Sequence, residues 1–86
     1  MDYSATIIKF DFKPMVDIVP SNLFYWVRIE QTNFEVMLEE EGSIDYLSRK
    51  YGFKIESDSQ WDFSGFEGRR CIVRKDDIGY RFIRFL

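Results

Sequence analysis

Four sets of residues in this chain are of types that do chemistry. They are the lone thiol of Cys71, the adjacent carboxylates Glu40-Glu41 and Asp76-Asp77, the aromatic and acidic run from Leu23 to Glu41, and the basic aromatic stretch from Arg69 to Leu86. Catalysis is the chemistry they serve worst. The chain has no histidine, which removes Ser-His-Asp and Cys-His nucleophile pairs and the commonest general base near neutral pH. One cysteine builds neither an internal disulfide nor a thiolate metal site. The five glycines, at 42, 52, 65, 68 and 79, match no phosphate-binding loop, and the aspartates lack calcium-loop spacing. Adjacent carboxylates are ordinary on solvated turns, whereas acid–base work needs a cleft and split pKa values. Cys71 lies in a β-prone run, where a thiol is expected to be a small buried hydrophobe. The composition therefore predicts a protein that is not an enzyme, with no catalytic residue, metal or cofactor.

Binding is the alternative. Arg69 to Leu86 carries six of the twelve basic groups and two of the fifteen acids, a balance of +4, against −7 for residues 1 to 68. A β-hairpin with arginines and aromatics binds single-stranded nucleic acid by stacking and phosphate contacts, and Arg70, Arg74, Tyr80, Arg81 and Arg84 are the candidates for that role. Gly79-Tyr80-Arg81-Phe82-Ile83-Arg84-Phe85 resembles the RNP1 pattern of the RNA-recognition motif, in which the aromatics at the Tyr80 and Phe82 positions stack bases. It departs from the pattern at Arg81, where a small residue is expected, and at Ile78, where a base is expected. The likeness spans seven of 86 residues and does not carry that fold over. The whole chain has a net charge of −3 and a pI near 4.9, against the basic balance usual in nucleic-acid domains.

The elements that must position these groups are largely strands. Residues 5–12 are β-rich and end at Pro14. Met15 to Pro20 is bracketed by proline, which suits a loop or a short edge strand. Leu23–Gln31 and Phe34–Glu39 read as a hairpin turning at Thr32-Asn33, a register that sets Ile29 opposite Val36 and Val27 opposite Leu38. Alternation then gathers Tyr25, Val27, Ile29, Phe34, Val36 and Leu38 on a core face, and Phe24, Trp26, Arg28, Glu30, Glu35, Met37 and Glu39 on the other. Either the helix or the Trp61–Phe66 segment covers the Phe24–Trp26–Met37 end, or that end is an open patch rimmed by Glu35, Glu39 and Glu41.

Ser43 is a suitable N-cap for a helix running to Tyr51. Asp45 and Arg49-Lys50 complement its dipole, Ile44, Leu47 and Tyr51 share a face, and Gly52 suits the left-handed position that ends it. Two turns are too few to stand alone, so this helix must dock on the sheet. Lys54–Glu67 reads as irregular, with a short strand near Phe53–Glu56. Arg70–Lys75 and Tyr80–Phe85 form a second hairpin. Pairing Lys75 with Tyr80 puts Cys71, Val73, Tyr80 and Phe82 on one face with Lys75 and Arg84, and Ile72, Ile83 and Phe85 on the other with Arg70, Arg74 and Arg81. Arg74 and Arg81 are then directly opposite, an unfavourable pair without an anion nearby. Setting these arginines beside Glu30, Glu35 and Glu39 in one mixed-charge surface would supply it.

The expected fold is α+β, one domain over residues 1–86: a single antiparallel sheet of about five strands in the order β-β-β-α-β-β, with one short helix packed on it. The longest uncharged run, Ile18–Val27, is ten residues and holds Pro20, whereas a membrane helix needs about twenty. With a single cysteine and no signal-peptide pattern, the expected location is cytoplasmic, with no membrane partner. The expected function is a non-enzymatic protein-binding module, a small acidic accessory or inhibitor-type protein of the sort that phages and mobile elements encode. It would occupy a partner protein's surface through Phe24, Trp26, Met37, Glu35 and Glu39. Glu35, Glu39, Glu40 and Glu41 together would offer an acidic surface that mimics nucleic acid toward a basic partner. The rivals are single-stranded RNA or DNA binding through the C-terminal hairpin and homo-oligomerisation through a strand edge or the Trp26 face.

Overall fold

Apolar residues at every second position make strands, and the computed structural model, which describes residues 1–14, 18–57 and 60–86, contains seven of them and one helix. They run β1 (Asp2–Lys13), β2 (Ser21–Ile29), β3 (Glu35–Gly42), α1 (Ile44–Tyr51), β4 (Lys54–Ser57), β5 (Gln60–Asp62), β6 (Arg70–Asp76) and β7 (Gly79–Phe85). Five form one antiparallel sheet in the spatial order β3-β2-β1-β6-β7; β4 and β5 make a separate small hairpin. The expected α+β fold holds in its coarse form, a curled five-stranded antiparallel sheet with one short helix, and the protein is mostly β.

The central strand is long and staggered. Its N-terminal half, Asp2–Thr6, pairs with β6, and Ala5–Lys13 pairs with β2. Between Ile7 and Lys9 the β1–β2 register shifts. The extra residue reverses the alternation, so Ala5 and Ile7 face the core before it and Phe10 and Phe12 after it. The core lies in the hollow of the sheet. Ala5, Ile7, Leu23, Tyr25, Val27, Ile29, Leu38, Cys71 and Val73 form its floor, and Leu47 and Tyr51 of α1 close it with Phe53 and Phe66. Phe66 is wholly buried and meets Tyr25 and Tyr51 edge-on at 5.5 and 5.6 Å. Phe63 stacks on Phe53 at 4.6 Å and tilts against Phe10 at 4.4 Å.

Helix α1 begins and ends where its caps dictate. Ser43 Oγ accepts the Tyr46 amide at 3.1 Å, and Gly52, at φ 80°, donates its N–H to Ser48 O at 2.8 Å.

Several details depart from the sequence reading. The β2–β3 turn is not the tight one expected at Thr32-Asn33. Ile29 N–H bonds Phe34 O and Asn33 N–H bonds Ile29 O, with Asn33 left-handed at φ 60°. Residues 30–33 thus form the loop, and the register moves two places, to Val27 opposite Val36 and Tyr25 opposite Leu38. An even shift keeps every side chain on its expected face, except that Phe34, at the loop end of the ladder, lies 66% exposed rather than in the core. In the last hairpin Lys75 pairs with Tyr80 as expected, but the register slips between Ile72 and Val73 because Ile83 is inserted opposite them. That bulge turns Phe85 into the core beside Phe82, 5.0 Å away, and sends Arg84 to the outer face, the reverse of strict alternation. The short strand expected near Phe53–Glu56 is β4, and it pairs with β5, Gln60–Asp62, in a stretch otherwise expected to be irregular. Of the segment Met15–Pro20, residues 15–17 lie outside the described residues; Ile18 and Val19 are exposed.

Successive antiparallel pairings make the outermost strands, β3 and β7, run in the same direction. The sheet curls into a half-barrel that brings these two free edges within 8 Å, Cα to Cα.

Candidate functional site

The five residues expected to bind a partner meet on the outer face of β2 and β3. Cross-strand pairing sets Met37 opposite Trp26, Glu39 opposite Phe24 and Glu35 opposite Arg28. On β1, Lys9 is paired with Trp26 and Asp11 with Phe24, and the Lys9 ammonium sits 4.7 Å above the Trp26 ring, a cation–π contact. The two sequence alternatives for this end are now separated. Helix α1, Phe53 and Trp61 pack on the inner face, through Tyr51 on Tyr25 and Phe53 and Trp61 on Phe12. Trp26 and Phe24 point the other way, and among the described residues no element lies over them. Phe24 and Trp26 are half-buried by their strand neighbours, and Met37 is 49% exposed. Glu35 makes a long ion pair with Arg28, 3.4 Å; Glu39 and Glu41 have no ion-pair partner among the described residues.

The nucleic-acid candidates do not share a face. Arg70, Arg74, Arg81 and Arg84 are on the outer face, whereas Tyr80 turns inward to pack beside the core, 6.4 Å from Tyr3. Arg70 grips both oxygens of Glu30, at 2.7 and 3.0 Å, and Arg74 those of Asp2, at 2.7 and 3.2 Å. These arginine hydrogen bonds hold the Glu30 and Asp2 carboxyls below their ordinary values. Arg74 and Arg81 do stand opposite each other. The balancing anions are Asp2, and Asp76 at 3.8 Å from Arg81, not the expected Glu35 and Glu39. Arg84 donates to the carbonyl of Phe85 at 3.4 Å.

Glu40 departs from its expected place in the acidic surface. By alternation it belongs with Val36 and Leu38 on the inner face, and there it collects four hydrogen bonds: from Lys50 Nζ at 2.7 and 2.9 Å, from Tyr46 at 2.7 Å and from Tyr51 at 2.6 Å. Burial pushes its pKa up, but the hydrogen bonds from Lys50, Tyr46 and Tyr51 and the Lys50 charge outweigh it, so the carboxyl sits below its ordinary range. Burial likewise opposes the charge on Lys50, and Glu40 more than restores it. Burial raises both Tyr25 and Tyr51, which remain protonated near neutrality. A carboxylate held ionised and tyrosines held neutral form a poor acid–base pair, since catalysis wants groups that exchange protons near the working pH. Glu40 is charged on a core face while Tyr46, Lys50 and Tyr51 lie four and five residues apart on one helix; that is the signal by which the sequence announces this cluster.

Beside it, a cavity of about 380 Å³ opens between the free edges, lined by Met37–Glu40 of β3, Tyr80–Phe82 of β7, Tyr25 and Lys50. Cys71 is fully buried, and burial, with the Glu30 charge behind it, pushes its thiol up to about 11. Among the described residues no cluster of His, Cys, Asp and Glu has the shape of a metal site, and no helix is long and apolar enough to cross a membrane. Comparison of the chain with family models, with curated proteins and with solved structures finds no match.

Proposed function

We propose that this chain is a non-enzymatic protein-binding module, a small cytoplasmic accessory or inhibitor-type protein that covers a partner's surface with the outer face of β2 and β3. The carrying observation is that helix, small hairpin and Phe66 all pack inside the curl, leaving Phe24, Trp26 and Met37 contiguous on the outside. Tryptophan in a patch with methionine and a charged rim is the composition of an interface centre. Glu39 and Glu41, free of ion-pair partners among the described residues, favour a partner that is basic where it meets β3. Single-stranded nucleic acid is the weaker reading, because Arg70 and Arg74 already hold carboxylates and Tyr80 does not lie beside them.

The test is capture from a lysate of the source organism on the tagged protein, with and without nuclease, beside Trp26→Ala and Glu39→Lys. The expected result is a stoichiometric protein that survives nuclease and is retained at least about tenfold less by Trp26→Ala, the loss typical of an interface anchor. A captured protein indifferent to both substitutions, or capture that nuclease abolishes, overturns the reading.

A further inference from the structure

The half-barrel has one seam, and its chemistry specifies what can fill it. The Ile29–Phe34 hydrogen bond makes that pair a bonded rung of the β2–β3 ladder, and bonded and non-bonded rungs alternate. The backbone groups of Val36, Leu38 and Glu40 therefore point to β2, and those of Met37 and Glu39 point away from it, into the seam. On the opposite side, Leu86 N–H bonds Arg70 O and Asp76 pairs with Gly79 across the turn. Counting through the bulge, Gly79, Arg81 and Arg84 point to β6 while Tyr80 and Phe82 point into the same seam. Among the described residues, no hydrogen bond reaches the backbone groups of Met37, Glu39, Tyr80 or Phe82 from the far side.

The two edges come within 8 Å, Cα to Cα, yet no ladder joins them. They are also parallel in direction. A single strand running the other way is antiparallel to both and would complete an all-antiparallel barrel of six. The cavity of about 380 Å³ marks the place. Two of its lining residues, Met37 and Glu39, also belong to the outer patch, so seam and patch form one continuous surface.

We infer that the seam is a strand-acceptor site: an extended, basic segment of a partner protein adds to the free edge of β3, antiparallel to it, at the backbone of Met37 and Glu39. Main-chain hydrogen bonds supply the attraction in this mode and alternate side chains the selectivity. The basic character follows from Glu39 and Glu41, whose carboxylates flank the edge without ion-pair partners among the described residues. Full insertion needs about 9.6 Å between the flanking strands, more than the 8 Å within which their Cα atoms approach, so the edges must part. No backbone hydrogen bond between β3 and β7 resists that. This inference rests on the protein-binding reading of the β2–β3 surface and adds to it the backbone edge and the form of the partner.

The probe is a blocked peptide of eight alternating lysines and valines, added to the 15N-labelled protein. The expected result is at least about tenfold slower exchange of the Met37 and Glu39 amides, with weaker binding to Glu39→Lys. The same peptide N-methylated at every second residue should lose binding at least about tenfold, because it keeps its charge and loses its donors. Glu39→Pro removes a donor that β2 does not use, and should fold and fail to bind; the methylated peptide decides the matter if it does not fold. No protection of these amides up to millimolar peptide, or equal binding of the methylated form, overturns the inference. Capture of a partner that depends on Trp26 yet is unchanged by Glu39→Pro leaves the protein-binding reading standing and removes the strand-acceptor site alone.

Discussion

Tyr51 stands between Tyr25 and Glu40, its hydroxyl 3.0 Å from the first and 2.6 Å from the second. A phenol has one proton to give. The carboxylate takes it, so Tyr25 must donate to Tyr51, and the polar groups run in one sense from the floor of the sheet to its free edge. The helix is fixed to β3 at the end of this relay, where Lys50 and Tyr46 also reach Glu40.

That direction makes the two tyrosines unequal. Tyr51→Phe strands the Tyr25 hydroxyl in a buried site and deprives Glu40 of a donor, for a loss of about 1–3 kcal/mol. Tyr25→Phe removes a donor whose acceptor keeps its own bond to Glu40, and costs about 1 kcal/mol. Urea unfolding of both variants checks the order; equal losses would contradict the assigned direction.

Stability should be lost at both extremes of pH and vary little between about 5 and 8, where the absent histidines would have titrated. Glu40, Glu30 and Asp2 have pKa values lowered by folding from 4.5, 4.5 and 3.8, so their contribution is present above those values and lost as pH falls through the folded ones. Tyr25, Tyr51 and Lys50 are raised from 10.0, 10.0 and 10.5. Their contribution is complete below about 10 and lost as pH rises beyond it. Denaturant midpoints against pH give the profile, and Glu40→Gln should flatten part of its acid limb.

Cys71 should be silent toward thiol reagents in the native protein. With its pKa moved from 9.0 to about 11 and no exposed surface, it offers neither thiolate nor access. Labelling with an aromatic disulfide at pH 8 should follow unfolding, accelerating with urea. Fast labelling in buffer would place the thiol nearer the surface than β6 puts it.

Sequence patterns located the helix almost to the residue, because Ser43 and Gly52 act on their own neighbours. They also separated the two faces of β2 and β3, because alternation is a property of each strand alone. What they missed depends on contacts across the sheet. The left-handed Asn33 suited either a two-residue turn or the longer loop that formed. The inserted Ile83 is invisible as a bulge in a run of apolar and basic residues, yet it decides that Phe85 is core and Arg84 is not. Glu40 was set among its acidic neighbours when simple alternation placed it inside; only Lys50 and two tyrosines, brought over it by the helix, explain how a carboxylate is kept there. The Trp26 patch was legible as residues, and its openness became evident only once the curl showed which side the helix takes.

The staggered central strand also governs the order in which the molecule can assemble. β1 joins β2 through a connection of a few residues, but its N-terminal half waits for β6, and the Asp2–Arg74 pair links residues 72 apart in the chain. Closing so large a loop has to be accomplished before the contacts it brings can compensate. The β1–β2–β3 meander with α1 is therefore the natural nucleus, and docking of the last hairpin the late, slow event. Such non-local topologies fold on the millisecond-to-second scale. Until that step is complete, half of β1 is an unpaired edge, and a nascent chain of this protein is most vulnerable to misassociation at its own middle strand.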